Sequence, residues 1–500
     1  MQQKVEQLKT LVGKAIDISH AASLLEWDQQ TQMPPGAGEG RSHQIGTLKG
    51  LFHEHITSDE VGGLLEALKP YAAGLEPDSD EARLIARCAR EYEKRTRVPA
   101  QFVAEFARLA ASSYQVWTEA RRDNDFPRFR PYLERVVEMR RQYAGFFAPY
   151  EHVYDPLLDD YEPGMTTAEV QTIFEPLRAQ QAALVQAIGA RPQVDDSFLH
   201  LHYDPQKQWD FGIEVITRMG YDWDHGRIDK APHPFTQGLG ADDVRITTRI
   251  LPEHLPSALF SDIHEMGHAL YELGTSPDLA RTPLAEGASF ALHESQSRLW
   301  ENLVGRSRPF WRFFYPRLQA LFPTQLGNVD VETFYKGINR VQPSLIRVEA
   351  DEATYNLHIM LRMELEIALM EGSLEVRDLP EAWNSRMQEY LGITPPDDRQ
   401  GVMQDVHWSD GYFGYFPTYA LGNLVSAQLW ECLHNDLPDL EEEISRGEFA
   451  SLLGWLREKI HRHGAKFLPQ EMVQQVTGSP IDAAAYMRYL SAKYGEIYGL

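Results

Sequence analysis

Apolar residues recur at three- and four-residue intervals along most of this chain, and that period commits it to a largely helical architecture. Val5, Leu8, Val12 and Ile16 keep the spacing, as do Phe102, Phe106 and Leu109, so successive segments can turn one apolar stripe toward a shared core. Strong helix formers fill the stretches near 80–95, 99–122, 128–146, 167–188, 351–372 and 446–463. Proline and glycine interrupt them at Pro34-Pro35-Gly36, Pro163-Gly164, Pro277, Pro283 and Pro395-Pro396. No fixed-period repeat, low-complexity linker or long block of like charge divides the chain. The expectation is one mostly α fold over residues 1–500.

One region departs from this period. From Asp243 to Ile250 the residues alternate, with Val244, Ile246, Thr247, Thr248 and Ile250 β-branched, which predicts a short strand. Its place just before the chemistry-bearing helix described next suggests a small sheet whose edge borders the site and can pair with an extended peptide.

That helix contains His264-Glu265-Met266-Gly267-His268. Residues four apart stack on one helical face, so the two imidazoles can point at one ion while Glu265 reaches a water molecule beside it. Chance produces the three-letter pattern in roughly a few per cent of chains this rich in histidine. The setting adds weight, since Ile263, Met266, Leu270 and Leu273 form an apolar stripe that would bury the helix. A catalytic zinc site usually takes three protein ligands, and Glu286, Glu294 and Glu301 are the carboxylates that follow. Glu294, in a helical stretch 26 positions beyond His268, is the favoured third ligand. Glu286 beside Gly287 reads as a helix start, Glu301 as a solvated residue, and His293 as a group that orients a ligand. The Gly and His that extend the motif in metzincins are replaced by Tyr271 and Gly274, which excludes that class.

A formal charge of −25 argues against nucleic acid as partner and means that any carboxylate-binding site needs its own cations. Arg245 and Arg347 have the fork that holds a carboxylate; the plainer reading of each is a structural ion pair, Arg347 with Asp351 for instance. Gly401 to Trp408, followed by Gly411-Tyr412-Phe413-Gly414-Tyr415-Phe416-Pro417-Thr418-Tyr419, is dense in glycine and aromatics. His407, Tyr415 and Tyr419 there can donate to an oxyanion or simply pack in the core. Cys88 and Cys432 lie far apart without a C-x-x-C spacing, so neither a disulfide framework nor a thiolate zinc site is expected. The absence of a signal-like N-terminus and of a membrane-length apolar run reads as a soluble cytoplasmic protein.

Several ordered motifs together resemble the thermostable metallocarboxypeptidases typified by carboxypeptidase Taq. They are His233-Pro234-Phe235, Asp243-Val244-Arg245-Ile246-Thr247, residues 264–268, His293-Glu294-Ser295, Ile346-Arg347 to Asp351, and Gly401 to Trp408. The resemblance spans the whole length. It implies a nearly all-helical fold in which helices of 1–205 line a deep groove and 206–500 carry the metal site, often a homodimer, that removes C-terminal residues from peptides with broad specificity using one zinc or cobalt ion per chain. It also implies metal ligation by His264, His268 and Glu294 and catalysis by Glu265. Arg347, with His233 and Arg245, falls on the substrate side, and His407, Tyr415 and Tyr419 near the scissile carbonyl. Two other functions remain on sequence grounds: a helical oligopeptidase that cuts internally, and a metal-stabilised protein that binds peptides without turnover.

Overall fold

Helices account for 69% of the chain in the computed structural model, which describes all 500 residues, Met1–Leu500. The expected segments appear as Asp80–Arg97, Ala100–Asp123, Phe126–Gly145, Thr167–Gly189 and Glu352–Glu371. Their starts are capped as the sequence allows. Ser79 accepts from the Ala82 amide, and Thr166 with Glu169 forms a reciprocal box, satisfying amides that a helix leaves unpaired. The stretch near 446–463 divides into the helix Ala450–Lys459 and a 3-10 turn, His461–His463. No helix is long and apolar enough to cross a membrane.

Packing separates two cores. Val5, Leu8, Val12 and Ile16 of the first helix, Gln2–Thr31, meet Val61, Leu65, Ile85 and Cys88 in a small cluster closed by Leu279 and Leu284. A core of 100 buried residues runs from Trp117 to Tyr498 and holds the site. The first helix docks against the sheet side of this core through Trp27, whose ring lies 5.0 Å from the Arg227 guanidinium and 4.5 Å from that of Arg245.

Three strands form the sheet: β1 (Ile228–Lys230), β2 (Thr236–Gly238) and β3 (Val244–Thr248), in the order β1-β3-β2. β3 runs parallel to β1 and antiparallel to β2, with Ile246 opposite both Ile228 and Thr236. The strand read from the sequence is therefore the central one, paired on both sides, and not an edge. Its neighbours are three residues each, too short for alternation to register. The edge beside the site is β2.

The helix Leu255–Leu273 carries the histidine motif, with Pro256 in its first turn, where a missing amide costs nothing. Ile263, Met266 and Leu270 are fully buried as its stripe requires, while Leu273 is half-buried. The helix Phe290–Arg298 packs against it, and its start is held from the N-terminal half of the chain. The Phe290 amide donates to the Tyr161 carbonyl (3.1 Å), and the Ala291 amide to Glu162 Oε2 (3.3 Å). Ser289, and not Glu286, caps this helix by accepting from the Leu292 amide (3.0 Å).

Glu162 has no solvent exposure, and burial pushes its carboxyl up to about 8 against the pull of Ser289 and the Ala291 amide. Because the folded value lies above the ordinary 4.5, the stability it contributes is full below about pH 4.5. That stability is lost as the pH rises through about 8. Glu162→Gln removes the ionisation. Its unfolding free energy should fall less steeply than that of the wild type between pH 6 and 8, by on the order of 1 kcal/mol per pH unit. Parallel pH profiles would refute this account.

Candidate metal centre

His264 and His268 stand one turn apart on the motif helix, and Glu294 reaches them from the helix Phe290–Arg298. Glu294 Oε2 lies 3.6 Å from His264 Nε2 and 3.5 Å from His268 Nε2. A tetrahedral ion bound at 2.0–2.2 Å would set its ligands about 3.3–3.6 Å apart, so the carboxylate oxygen already stands at the right separation from both imidazoles, and the three ligand atoms lie within 4.8 Å of one another. No other set of three histidine, cysteine or acidic side chains in the chain converges this way. The imidazoles keep 18% and 16% of their side-chain surface exposed, against 7% for Glu294, so the open side of the triad faces solvent.

Two glycines permit this convergence. A Cβ on Gly267, inside the motif, would lie 2.7 Å from Ser297 Cα and 2.9 Å from the Gln296 carbonyl oxygen. The two helices thus cross with backbone nearly touching backbone. On the other side of Glu294, the helix Pro417–Asp436 approaches through Gly422, where a Cβ would stand 2.7 Å from both Cβ and Cγ of Glu294. Glu294 is fixed between them.

Each ligand is oriented from behind. His264 Nδ1 donates to Glu301 Oε2 (2.9 Å), which leaves Nε2 with a free lone pair. His268 Nδ1 lies 2.6 Å from His293 Nδ1, and His293 Nε2 lies 3.1 Å from Glu272 Oε1. With Nε2 of His268 kept for an ion, the protons order themselves: His268 donates to His293, and His293 to Glu272. Arg298 Nε donates to Glu294 Oε1 (2.7 Å) and its Nη1 to Glu301 (3.1 Å), while Arg306 also reaches Glu301 (3.3 Å). Burial works against the Glu294 and Glu301 carboxylates, but Arg298 and His264 outweigh it and hold both well below the usual carboxylate range. Burial pushes His268 down to about 3, so it is neutral and able to ligate throughout the neutral range.

Glu265 is buried against β2, where Thr236 Oγ1 lies 2.7 Å from its Oε2. Burial raises its pKa, opposed by His264 and Thr236.

Arg347 is also buried, in a 3-10 turn before the helix Glu352–Glu371. Its partner is Asp405, not Asp351: Nε and Nη2 donate to Asp405 Oδ1 (3.1 and 2.8 Å) and Nη1 to the Tyr355 hydroxyl (2.8 Å). Asp351 instead caps the next helix by accepting from the Ala353 and Thr354 amides. One N–H on each terminal nitrogen of Arg347 stays free of these bonds. Arg362, fully buried, neutralises the other oxygen of Asp405. His407 and Tyr419 sit beside this group, with Tyr419 Oη 3.5 Å from His407 Nε2 and the Tyr415 ring 5.2 Å from that of Tyr419. Burial, with Arg347 and Arg362 nearby, brings His407 down to about 3 despite Asp405. Arg245 is committed elsewhere, to Asp243 through two bonds (2.9 and 2.7 Å) and to Trp27. His233 is exposed in the loop before β2.

Sequence reasoning missed Glu301 and Arg298. Glu301 is buried, not solvated. Glu294, Arg298 and Glu301 follow a four-then-three spacing that places all three on one helical face, a signal present in the residues themselves. A π-helical segment, Leu299–Val304, widens the turn at this point, as such segments often do at functional sites. Arg362 and Glu272 carried no signal, because only the fold brings them to the site.

Comparison with known proteins places this arrangement in context. Residues 7–494 match the family described as carboxypeptidase Taq (M32) metallopeptidase. The chain is 42% identical over 492 residues to thermostable carboxypeptidase 1 of Thermus thermophilus, covering 96% of each chain. It is 38% identical over 491 residues to carboxypeptidase 1 of Bacillus subtilis, covering 98% of this chain and 97% of that one. The crystal structure of the M32 carboxypeptidase from Deinococcus radiodurans superimposes with a TM-score of 0.96 at 42% identity, covering 100% of both chains.

Proposed function

Because the chain belongs to the carboxypeptidase Taq (M32) metallopeptidase family, we propose that it releases C-terminal residues from peptides, with broad specificity, at one zinc or cobalt ion held by His264, His268 and Glu294. The observation that carries the reading is the spacing of the three ligating atoms, 3.5 and 3.6 Å from carboxylate to imidazoles, with a buried carboxylate next to them in sequence. A divalent ion there supplies Lewis acidity, which polarises a carbonyl and acidifies water.

The chain's own residues do the rest. Glu265, its pKa raised by burial, takes the proton of the attacking water and passes it to the leaving amine. His407, neutral near pH 7, and Tyr415 or Tyr419 donate to the oxyanion as the carbonyl becomes tetrahedral. Arg347 keeps two N–H groups for the terminal carboxylate. Asp405 holds its guanidinium still and, with Arg362, balances the local charge in a strongly acidic protein. Arg245 and His233 border the peptide on the sheet side. We read 1–500 as one peptidase fold with the helices of 1–205 walling the groove. The same reading makes the protein a cytoplasmic homodimer; free cysteines at Cys88 and Cys432 suit a reducing compartment.

The test is a mass-spectrometric time course on one N-blocked peptide with a free or an amidated C-terminus, each with and without chelator. A ladder that loses one C-terminal residue at a time, only from the free form and only without chelator, is expected. Internal cuts in both forms would instead identify an oligopeptidase and remove Arg347 from its role. Stoichiometric peptide binding without products would identify a binding protein.

A further inference from the structure

Two exposed aromatic rings that no step above uses, Phe290 and Tyr412, lie with Tyr415 beside the metal centre. Phe290 and Tyr412 are 48% and 45% exposed, unusual for such large side chains, and both flank the partly exposed Tyr415, at ring-centroid distances of 5.3 and 6.1 Å. Tyr161 stands edge-on to Phe290 (5.6 Å) and to Tyr415 (5.1 Å) and is itself buried, so the group is braced from behind. Scattered exposed aromatics need no explanation, but contiguous ones at a functional site do.

Their position along the helix Phe290–Arg298 gives them a meaning. Phe290, Glu294 and Arg298 are spaced four apart and share a face. Arg298 lies 4.6 Å from the Tyr355 ring, whose hydroxyl receives Arg347. Along this helix Glu294 sits between Arg298, on the side of the arginine fork, and Phe290, while Tyr415 spans from Phe290 back to Tyr419, whose ring is 5.1 Å from the Arg347 guanidinium. One helical turn, about 5.4 Å, separates Glu294 from Phe290, against about 3.3–3.6 Å per residue of an extended peptide. A peptide with its carboxylate at Arg347 and its last bond at the ion lays its penultimate side chain on the aromatic group.

We propose that Phe290, Tyr412 and Tyr415 form a subsite for a large apolar or aromatic penultimate residue of the substrate, so that the size and polarity of this residue set the rate. This rests on the carboxypeptidase reading above. The rings are already ordered by mutual contacts and lose little freedom on binding.

N-acetylated pentapeptides identical but for Phe, Leu, Gly or Asp at the penultimate position, offered to the full metal-loaded chain, test it through kcat/KM for release of the last residue. Phe should exceed Gly by roughly 10–100-fold. In Phe290→Ala and in Tyr412→Ser that ratio should fall to within about threefold, whereas Tyr412→Phe should retain it. Each ratio is taken on one preparation, so partial misfolding of a variant cancels. A wild-type rate indifferent to the penultimate residue, or a ratio that survives both substitutions, overturns the subsite alone. No C-terminal release from any peptide overturns the carboxypeptidase reading and the subsite with it.

Discussion

Glu265→Gln is expected to bind its metal ion at wild-type stoichiometry and to lose roughly 10²–10⁴ in kcat. The substitution keeps the side chain's shape and its contact with Thr236 while removing the ability to accept a proton. Glu265 does not belong to the converging triad, so metal content should not follow activity. Metal analysis beside steady-state kinetics on the same preparation separates the two. Retained turnover would mean that another group handles the proton. Loss of metal together with activity would mean that Glu265 helps to hold the ion.

Glu294→Ala should fail differently, by losing the ion itself. The triad is left with two imidazoles, and we expect metal affinity to fall by on the order of a thousandfold or more. The effect extends into the fold, because half-buried Arg298 keeps only Glu301 as an acidic partner, and removing one partner of a largely desolvated ion pair is destabilising. Glu301→Gln is the informative comparison. It removes an outer partner of His264 and one charge on Arg298, and should weaken metal binding by roughly 10–100-fold. Equal losses in the two variants, measured by competition with a chelator of known affinity, would contradict the ligand assignment.

The helical architecture was legible because it is written locally. Periodicity places helices at Asp80–Arg97 and Thr167–Gly189 with no knowledge of the rest of the chain. The convergence of three ligand-type side chains was legible for a related reason: His264 and His268 share one helix, and Glu294 lies on the next substantial one. What failed were inferences that needed tertiary context. β3 was legible but its two partners were not, because nothing in residues 228–230 or 236–238 announces a strand. Arg347 was offered Asp351, its neighbour in sequence, and took Asp405, 58 residues away. Arg362 sits mid-helix among apolar residues with no local sign that it is needed. Glu301 is the exception. Its spacing from Glu294 and Arg298 already placed it on the site's face, and treating it as solvated ignored a pattern that was available.

The glycines at 267 and 422 set a limit on how this enzyme can be toughened. Gly267 and Gly422 occupy helix interiors, where alanine is normally preferred by about 0.5–1 kcal/mol, so a search guided by helix propensity would choose both for replacement. At these sites the added methyl would meet Ser297 Cα or the side chain of Glu294 at 2.7 Å, and the helices would have to separate. The small gain in helix propensity is then outweighed by the packing lost where the helices meet, so Gly267→Ala and Gly422→Ala should lower melting temperature and metal content together. Hardier forms of this enzyme have to be sought away from the helices that close on Glu294.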